Sequence, residues 1–114
     1  MTNLTIILLL KERQEYNYRF INHFLENNIN YKLIISDGSR EQVETNILKL
    51  IKKKQNITYI KYPEDKSYEL FYKKISNSLK LVKTKYVLFA SNDDFLIYKN
   101  IDKCLNFLRK NNDY

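Results

Sequence analysis

Two hydrophobic periods alternate along this chain. Leu4–Leu10, "LTIILLL", is a continuous branched apolar run, the pattern of a strand buried on both faces. From about Glu15 to Glu26 the period changes. Tyr16, Phe20, Ile21, Phe24 and Leu25 recur at helical spacing and form one stripe. "NNIN" ends it, and "YKLIIS", Tyr31–Ser36, predicts a second strand running into "DGS". Ser39 has the character of an N-cap, with Gln42 three residues on in capping-box position. The helix predicted behind it carries Val43, Ile47, Leu50 and Ile51 on one face. Its last turn is Lys52-Lys53-Lys54, three cations that suit the negative end of the helix dipole.

"ITYIKY", Ile57–Tyr62, alternates apolar and polar residues, as a strand nearer a sheet edge would. "PEDKS" is a loop holding the only proline. A helix is predicted from Tyr68 to Lys83, with Phe71, Ile75, Leu79 and Val82 as its stripe. "KYVLFA", Lys85–Ala90, predicts a fourth, buried strand, and Ile101, Cys104, Leu105 and Leu108 mark a last helix. The order β-α-β-α-β-α-β-α predicts an α/β fold, an open parallel sheet of about four strands with helices on both faces. Ligands of such sheets bind outside the carboxyl ends of the strands, where the strand order reverses.

Composition narrows the function. A length of 114 residues makes one small domain. With one glycine, neither a GxGxxG fingerprint nor a P-loop can be built. Cys104 is the only cysteine, which excludes an intrachain disulfide, a CxxC pair and a zinc cluster; it reads as a small buried hydrophobe. His23 reads as a packed or half-exposed helix residue. The N-terminal apolar run is too short for a membrane span and lacks the flanks of a signal peptide, so a cytoplasmic location is expected. The net charge of +7 reads as a lysine-rich solvated surface. A peripheral contact with the inner face of a membrane is the lesser option. Nucleic acid is not expected as a partner, because the lysines are scattered and no recognition motif is present.

Candidate chemistry collects at the strand ends. Lys11-Glu12-Arg13 follow the first strand, Ser36-Asp37-Gly38-Ser39 the second and Ser91-Asn92-Asp93-Asp94 the fourth. Each group alone is an ordinary turn. In a parallel sheet all three share one rim. Adjacent carboxylates repel unless a cation lies between them, and a hard divalent ion such as Mg²⁺ or Mn²⁺ takes carboxylate and phosphate oxygens together. Asp37 and the Asp93-Asp94 pair on one rim therefore suit a nucleotide diphosphate.

These stretches resemble the N-terminal, nucleotide-binding half of family 2 glycosyltransferases. "TIILLLKER" and "IISDGS" match the opening strand, turn and D-[DG]-S strand end. "VKTKYVLFASNDDFL" is similar to a branch whose DxD-type metal motif reads close to DDDF, and "LNFLRKNNDY" is similar to the helix that follows it. The resemblance spans nearly the whole chain. It implies a three-layer, Rossmann-like GT-A sheet, here incomplete. Residues 1–114 would be a single nucleotide-sugar-binding domain from a longer chain. The implied activity is metal-dependent, inverting transfer from a nucleotide-diphospho-sugar donor to a glycan acceptor in polysaccharide synthesis.

Carried over, Asp37 would contact the nucleotide base and Arg13 would line the nucleotide pocket. Asp94 would be the usual metal ligand. Asp93 would share the metal and face the ribose or sugar. Lys74 is a weaker candidate for the diphosphate, against its reading as a solvated helix lysine. The chain departs from the pattern in two places. The PTYN part of the first turn is replaced by Leu9, Leu10, Lys11 and Glu12, and Asn92 stands where a first carboxylate is expected. An amide oxygen there would hold a metal less tightly. The general base and acceptor site lie downstream of Tyr114 in that family, so no catalytic residue is assigned and the piece alone is expected to be inactive. The competing expectation is a non-catalytic α/β module, binding nucleotide or mediating assembly, in which "NDDF" is a structural turn. An open sheet also leaves an edge strand, a surface through which copies of the chain could associate.

Overall fold

The computed structural model describes residues 3–52 and 54–114. Strands β1 (Leu4–Leu10), β2 (Lys32–Asp37), β3 (Ile57–Lys61) and β4 (Tyr86–Ser91) alternate with helices α1 (Gln14–Glu26), α2 (Glu41–Ile51), α3 (Tyr68–Leu79) and α4 (Tyr98–Lys110). The strands form one sheet in the order β3-β2-β1-β4, and every pairing is parallel. The expected α/β architecture is therefore what the chain adopts. Successive strands pair outward from β1 to β3, and the chain then crosses back to place β4 on the far side of β1. The order reverses between β1 and β4.

Period 2 in the strands separates two faces. Leu4, Ile6, Leu8 and Leu10 of β1 and Leu33 and Ile35 of β2 join Phe20, Ile21 and Phe24 of α1, Ile47 of α2, and Tyr98 and Leu105 of α4 in one buried cluster. The alternate residues face α3, where Ser36 Oγ and Ser78 Oγ lie 2.6 Å apart in a buried hydrogen bond. Helices thus cover both faces, unequally. On the α3 side of β4, Val87 and Phe89 stay about two-fifths exposed, at 40% and 41%. The expectation of a buried fourth strand is corrected: β4 is an edge, and one helix cannot cover a four-strand face.

Other local expectations also shift. The N-cap of α2 is Arg40, not Ser39. The Ser39 hydroxyl instead accepts from the Glu12 N–H, a long-range bond that competes with capping. The side chains of Gln42 and Val43, and all of Lys53, lie outside the described residues. Lys52 caps α2 at its carboxyl end, with a positive φ of 31°. Helix α3 stops at Leu79, short of Lys83, and its deepest positions are Lys74 and Ser78, with Leu79 exposed. These polar groups bury because partners meet them: Asp65 and the Leu10 carbonyl for Lys74, Ser36 for Ser78. Cys104 is exposed, because α4 turns Tyr98 and Leu105 inward and leaves position 104 outside that stripe. His23 is half-buried. It stacks on Phe95 with ring centroids 4.3 Å apart, and its Nε2 lies 3.0 Å from the Leu96 carbonyl oxygen, tying α1 to the segment after β4.

Candidate functional site

The turn after β1 is the centre of the carboxyl rim. Glu12 and Arg13 both adopt positive φ, 56° and 58°, a conformation costly for side chains that are not glycine. Neighbouring loops hold them there. The Glu12 N–H donates to Ser39 Oγ. The Glu12 carbonyl accepts from Asn17 Nδ2 at 3.0 Å and from Asn92 Nδ2 at 3.3 Å. Glu12 Oε1 accepts from the Arg40 backbone N–H at 3.0 Å and from Arg40 Nε at 3.2 Å. One residue thereby joins the ends of β1, β2 and β4. The Arg13 carbonyl then starts α1, accepting from the Tyr16 and Asn17 N–H groups at 3.1 Å each.

The rim residues divide into two groups. Arg13 and Asp93 come together across the gap between β1 and β4, with Arg13 Nη1 at 3.8 Å from Asp93 Oδ2. Both are largely exposed, so the pair itself contributes little stability. Beneath them lies a cavity of about 240 Å³, walled by Leu10 and Lys11 from β1 and its turn, Asn92 and Asp93 after β4, and Phe71 and Lys74 of α3. Lys74 is therefore no solvated helix lysine. It is 1% exposed, donates to the Leu10 carbonyl oxygen at 3.2 Å and forms an ion pair with Asp65.

Asp37 and Asp94 are engaged elsewhere. The Asp37 side chain is fully buried, accepting from the Ser39 N–H at 2.8 Å through Oδ1 and from the Tyr59 hydroxyl through Oδ2. It organises the β2 turn, and contact with a base would require Tyr59 to release it. Asp94 Oδ2 accepts from the Ser91 N–H at 2.8 Å and closes the turn after β4. Asn92 is buried, and its amide donates to Asn17 Oδ1 at 2.9 Å as well as to Glu12.

A divalent cation is compatible with this donor set in kind. Asp93 is exposed, and Asp94 keeps one carboxylate oxygen outside its turn bond. Among the described residues no group of three or more His, Cys, Asp and Glu side chains is placed to hold a metal. A cation here would be completed by water and ligand phosphate, the habit of Mg²⁺.

Three roles escape sequence inspection, although Glu12 itself stands among the inspected rim residues. Glu12 and Asn17 act through backbone and amide bonds that no spacing rule marks. Asp65 sits in the loop after β3. The rule that made the ends of β1, β2 and β4 worth inspecting applies equally to β3, and "PEDKS" lies on the same rim. The sole glycine is a second signal. A β-carbon at Gly38 would run into the Asp65 carboxylate, so position 38 serves the close approach of that loop. Its backbone needs no positive φ.

Among the described residues no helix is long and apolar enough to cross a membrane. No family model matches the chain, and no curated protein matches it.

Proposed function

We propose that the carboxyl rim binds the diphosphate of a nucleotide-sugar together with Mg²⁺ or Mn²⁺, as the donor-binding part of an inverting, family 2-like glycosyltransferase. One observation carries this reading. The cavity walled by Arg13, Asp93 and Lys74 opens at the carboxyl ends of β1 and β4, the point where strand order reverses and where open α/β sheets take their ligands. Lys11 and Arg13 supply cations for phosphate oxygens, and the buried Lys74 would meet the nucleotide from the floor of the same cavity. Asp93 and Asp94 would hold the metal, which when bound offsets the charge developing on the leaving diphosphate. The acceptor would be a growing glycan. A cytoplasmic location, with the lysines meeting an anionic membrane face, goes with this reading.

The test is calorimetry with a nucleoside diphosphate, with and without Mn²⁺. Asp94→Asn keeps an acceptor for the Ser91 N–H and so preserves the turn. The expected result is Mn²⁺-dependent binding that weakens at least tenfold in the variant. Equal affinity in both proteins removes the metal role.

A second reading has its own support. Asn92 and Asp94 both serve structural hydrogen bonds, Asp94 within its own turn and Asn92 across to Asn17 of α1, as they would in a non-catalytic module whose "NDDF" is a structural turn. Nucleotide binding indifferent to Mn²⁺, or none, favours that alternative.

A further inference from the structure

The β3–α3 loop supplies a residue with an unmet bonding requirement. Asp65 contributes to the walls of two neighbouring cavities. One is the rim cavity of about 240 Å³. The other, about 580 Å³, is lined by Lys11, Asp65, Lys66, Ser67, Tyr68 and Phe71. The Asp65 side chain is only 7% exposed. Its Oδ2 pairs with Lys74, while Oδ1 is buried with no hydrogen-bond partner among the described residues. A buried carboxylate oxygen left unpaired is costly, and native structures rarely keep one without a reason. The loop is firmly placed: the Asp65 N–H donates to the Gly38 carbonyl at 3.0 Å, and Lys11 Nζ donates to the Asp65 carbonyl at 2.6 Å.

Lys74 carries three N–H donors and, among the described residues, uses two of them, on Leu10 and on Asp65 Oδ2. An open acceptor therefore stands beside an open donor. Asp37, the residue that the family resemblance points to, has both carboxylate oxygens occupied, whereas Asp65 keeps one unpaired. Asp65 packs directly over the stretch that follows Asp37.

We propose that Asp65, in place of Asp37, is the acceptor that reads the base of the bound nucleotide, and that this base carries an imide, as uracil and thymine do. The inference rests on the nucleotide reading above. An imide N–H donates to Asp65 Oδ1. It is flanked by carbonyl oxygens on both sides, so one of them meets the remaining Lys74 N–H whichever way the ring enters. A cytosine ring presents a lone pair where the imide presents N–H. That sets acceptor against acceptor, the mismatch that polar sites reject most strongly. Phe71 and Tyr68 give the neighbouring cavity an aromatic wall for a flat ring.

The test is titration calorimetry of the full chain in Mn²⁺ with UDP, CDP and N3-methyl-UDP. UDP is expected to bind at least tenfold more tightly than either of the others. In Asp65→Asn the amide must turn its carbonyl to Lys74, which puts NH₂ where Oδ1 stood. UDP binding should then fall at least tenfold while CDP binding strengthens. That variant leaves a buried lysine without its counter-charge, so circular dichroism checks its fold. The methylated ligand asks the same question of the unaltered protein. CDP or N3-methyl-UDP binding as tightly as UDP overturns the role of Asp65 and leaves the nucleotide reading standing. Failure of all three to bind overturns both.

Discussion

The side-chain amide of Asn92 donates to Asn17 Oδ1 at 2.9 Å, locking the turn after β4 to the first turn of α1. The same amide reaches the Glu12 carbonyl. Both partners are acceptors, so the position demands a donor, and an amide supplies one where a carboxylate cannot. This accounts physically for the asparagine at the head of "NDDF". Asn92→Asp would extend the acidic run but set a carboxylate against two acceptors in a buried place. A loss of about 1–3 kcal/mol at neutral pH is expected from urea unfolding. The deficit should shrink in acid, where a protonated carboxyl can donate again. A variant as stable as the parent would remove Asn92 from this role.

Gly38 tests the seating of the β3–α3 loop. Its backbone is not in the left-handed region, so alanine meets no torsional penalty there. The obstacle is steric, since the new methyl group would occupy the space of the Asp65 carboxylate. Gly38→Ala is expected to destabilise by about 1–3 kcal/mol, the usual cost of overpacking. Thermal unfolding measures it, and an unchanged midpoint would show that the loop moves away freely.

The Lys74–Asp65 pair is buried on both sides, at 1% and 7% side-chain exposure. Removing one member leaves an uncompensated charge, so Lys74→Met is expected to cost about 3–5 kcal/mol. Removing both by adding Asp65→Ala should cost less than the sum of the two single changes. A double-mutant cycle by denaturant unfolding reads the difference, and strict additivity would mean the pair is not coupled.

Tyr98 gives a prediction in alkali. Burial pushes its phenol up from 10.0 to about 12. Between these values the unfolded chain releases the proton and the folded one keeps it. Stability from the neutral phenol is thus complete below pH 10 and lost as pH rises towards 12, roughly 2–3 kcal/mol in all. The Tyr98 hydroxyl also has no hydrogen-bond partner among the described residues. Tyr98→Phe should therefore equal or exceed the parent at pH 7 and fall less steeply above pH 10 in pH-dependent chemical denaturation. Parallel slopes for the two proteins would contradict the burial argument.

Much of the fold was legible because period and punctuation are local. Leu4–Leu10 emerged with its predicted bounds, and the edge position of β3 followed from the alternation in "ITYIKY". The burial of β4 was not legible. An apolar run looks the same whether its second face meets a helix or stays partly open. Helix α3 misled for a related reason. Its apolar residues form a stripe, but its deepest positions are Lys74 and Ser78, and burial of a lysine depends on a partner that sequence does not pair with it.

The chain by itself determined that strands and helices alternate. It also determined that polar groups gather after β1, β2 and β4, because periodicity and turn chemistry are properties of neighbouring residues. Tertiary structure alone decided which of those groups face a cavity. It set Arg13 beside Asp93, turned Asp37 inward to Tyr59 and made Asn92 a clamp. It also placed Asp65 over Gly38 with one oxygen unpaired. Those outcomes depend on contacts between residues far apart in the chain, where the competition among donors, acceptors and space is settled only once the sheet has formed.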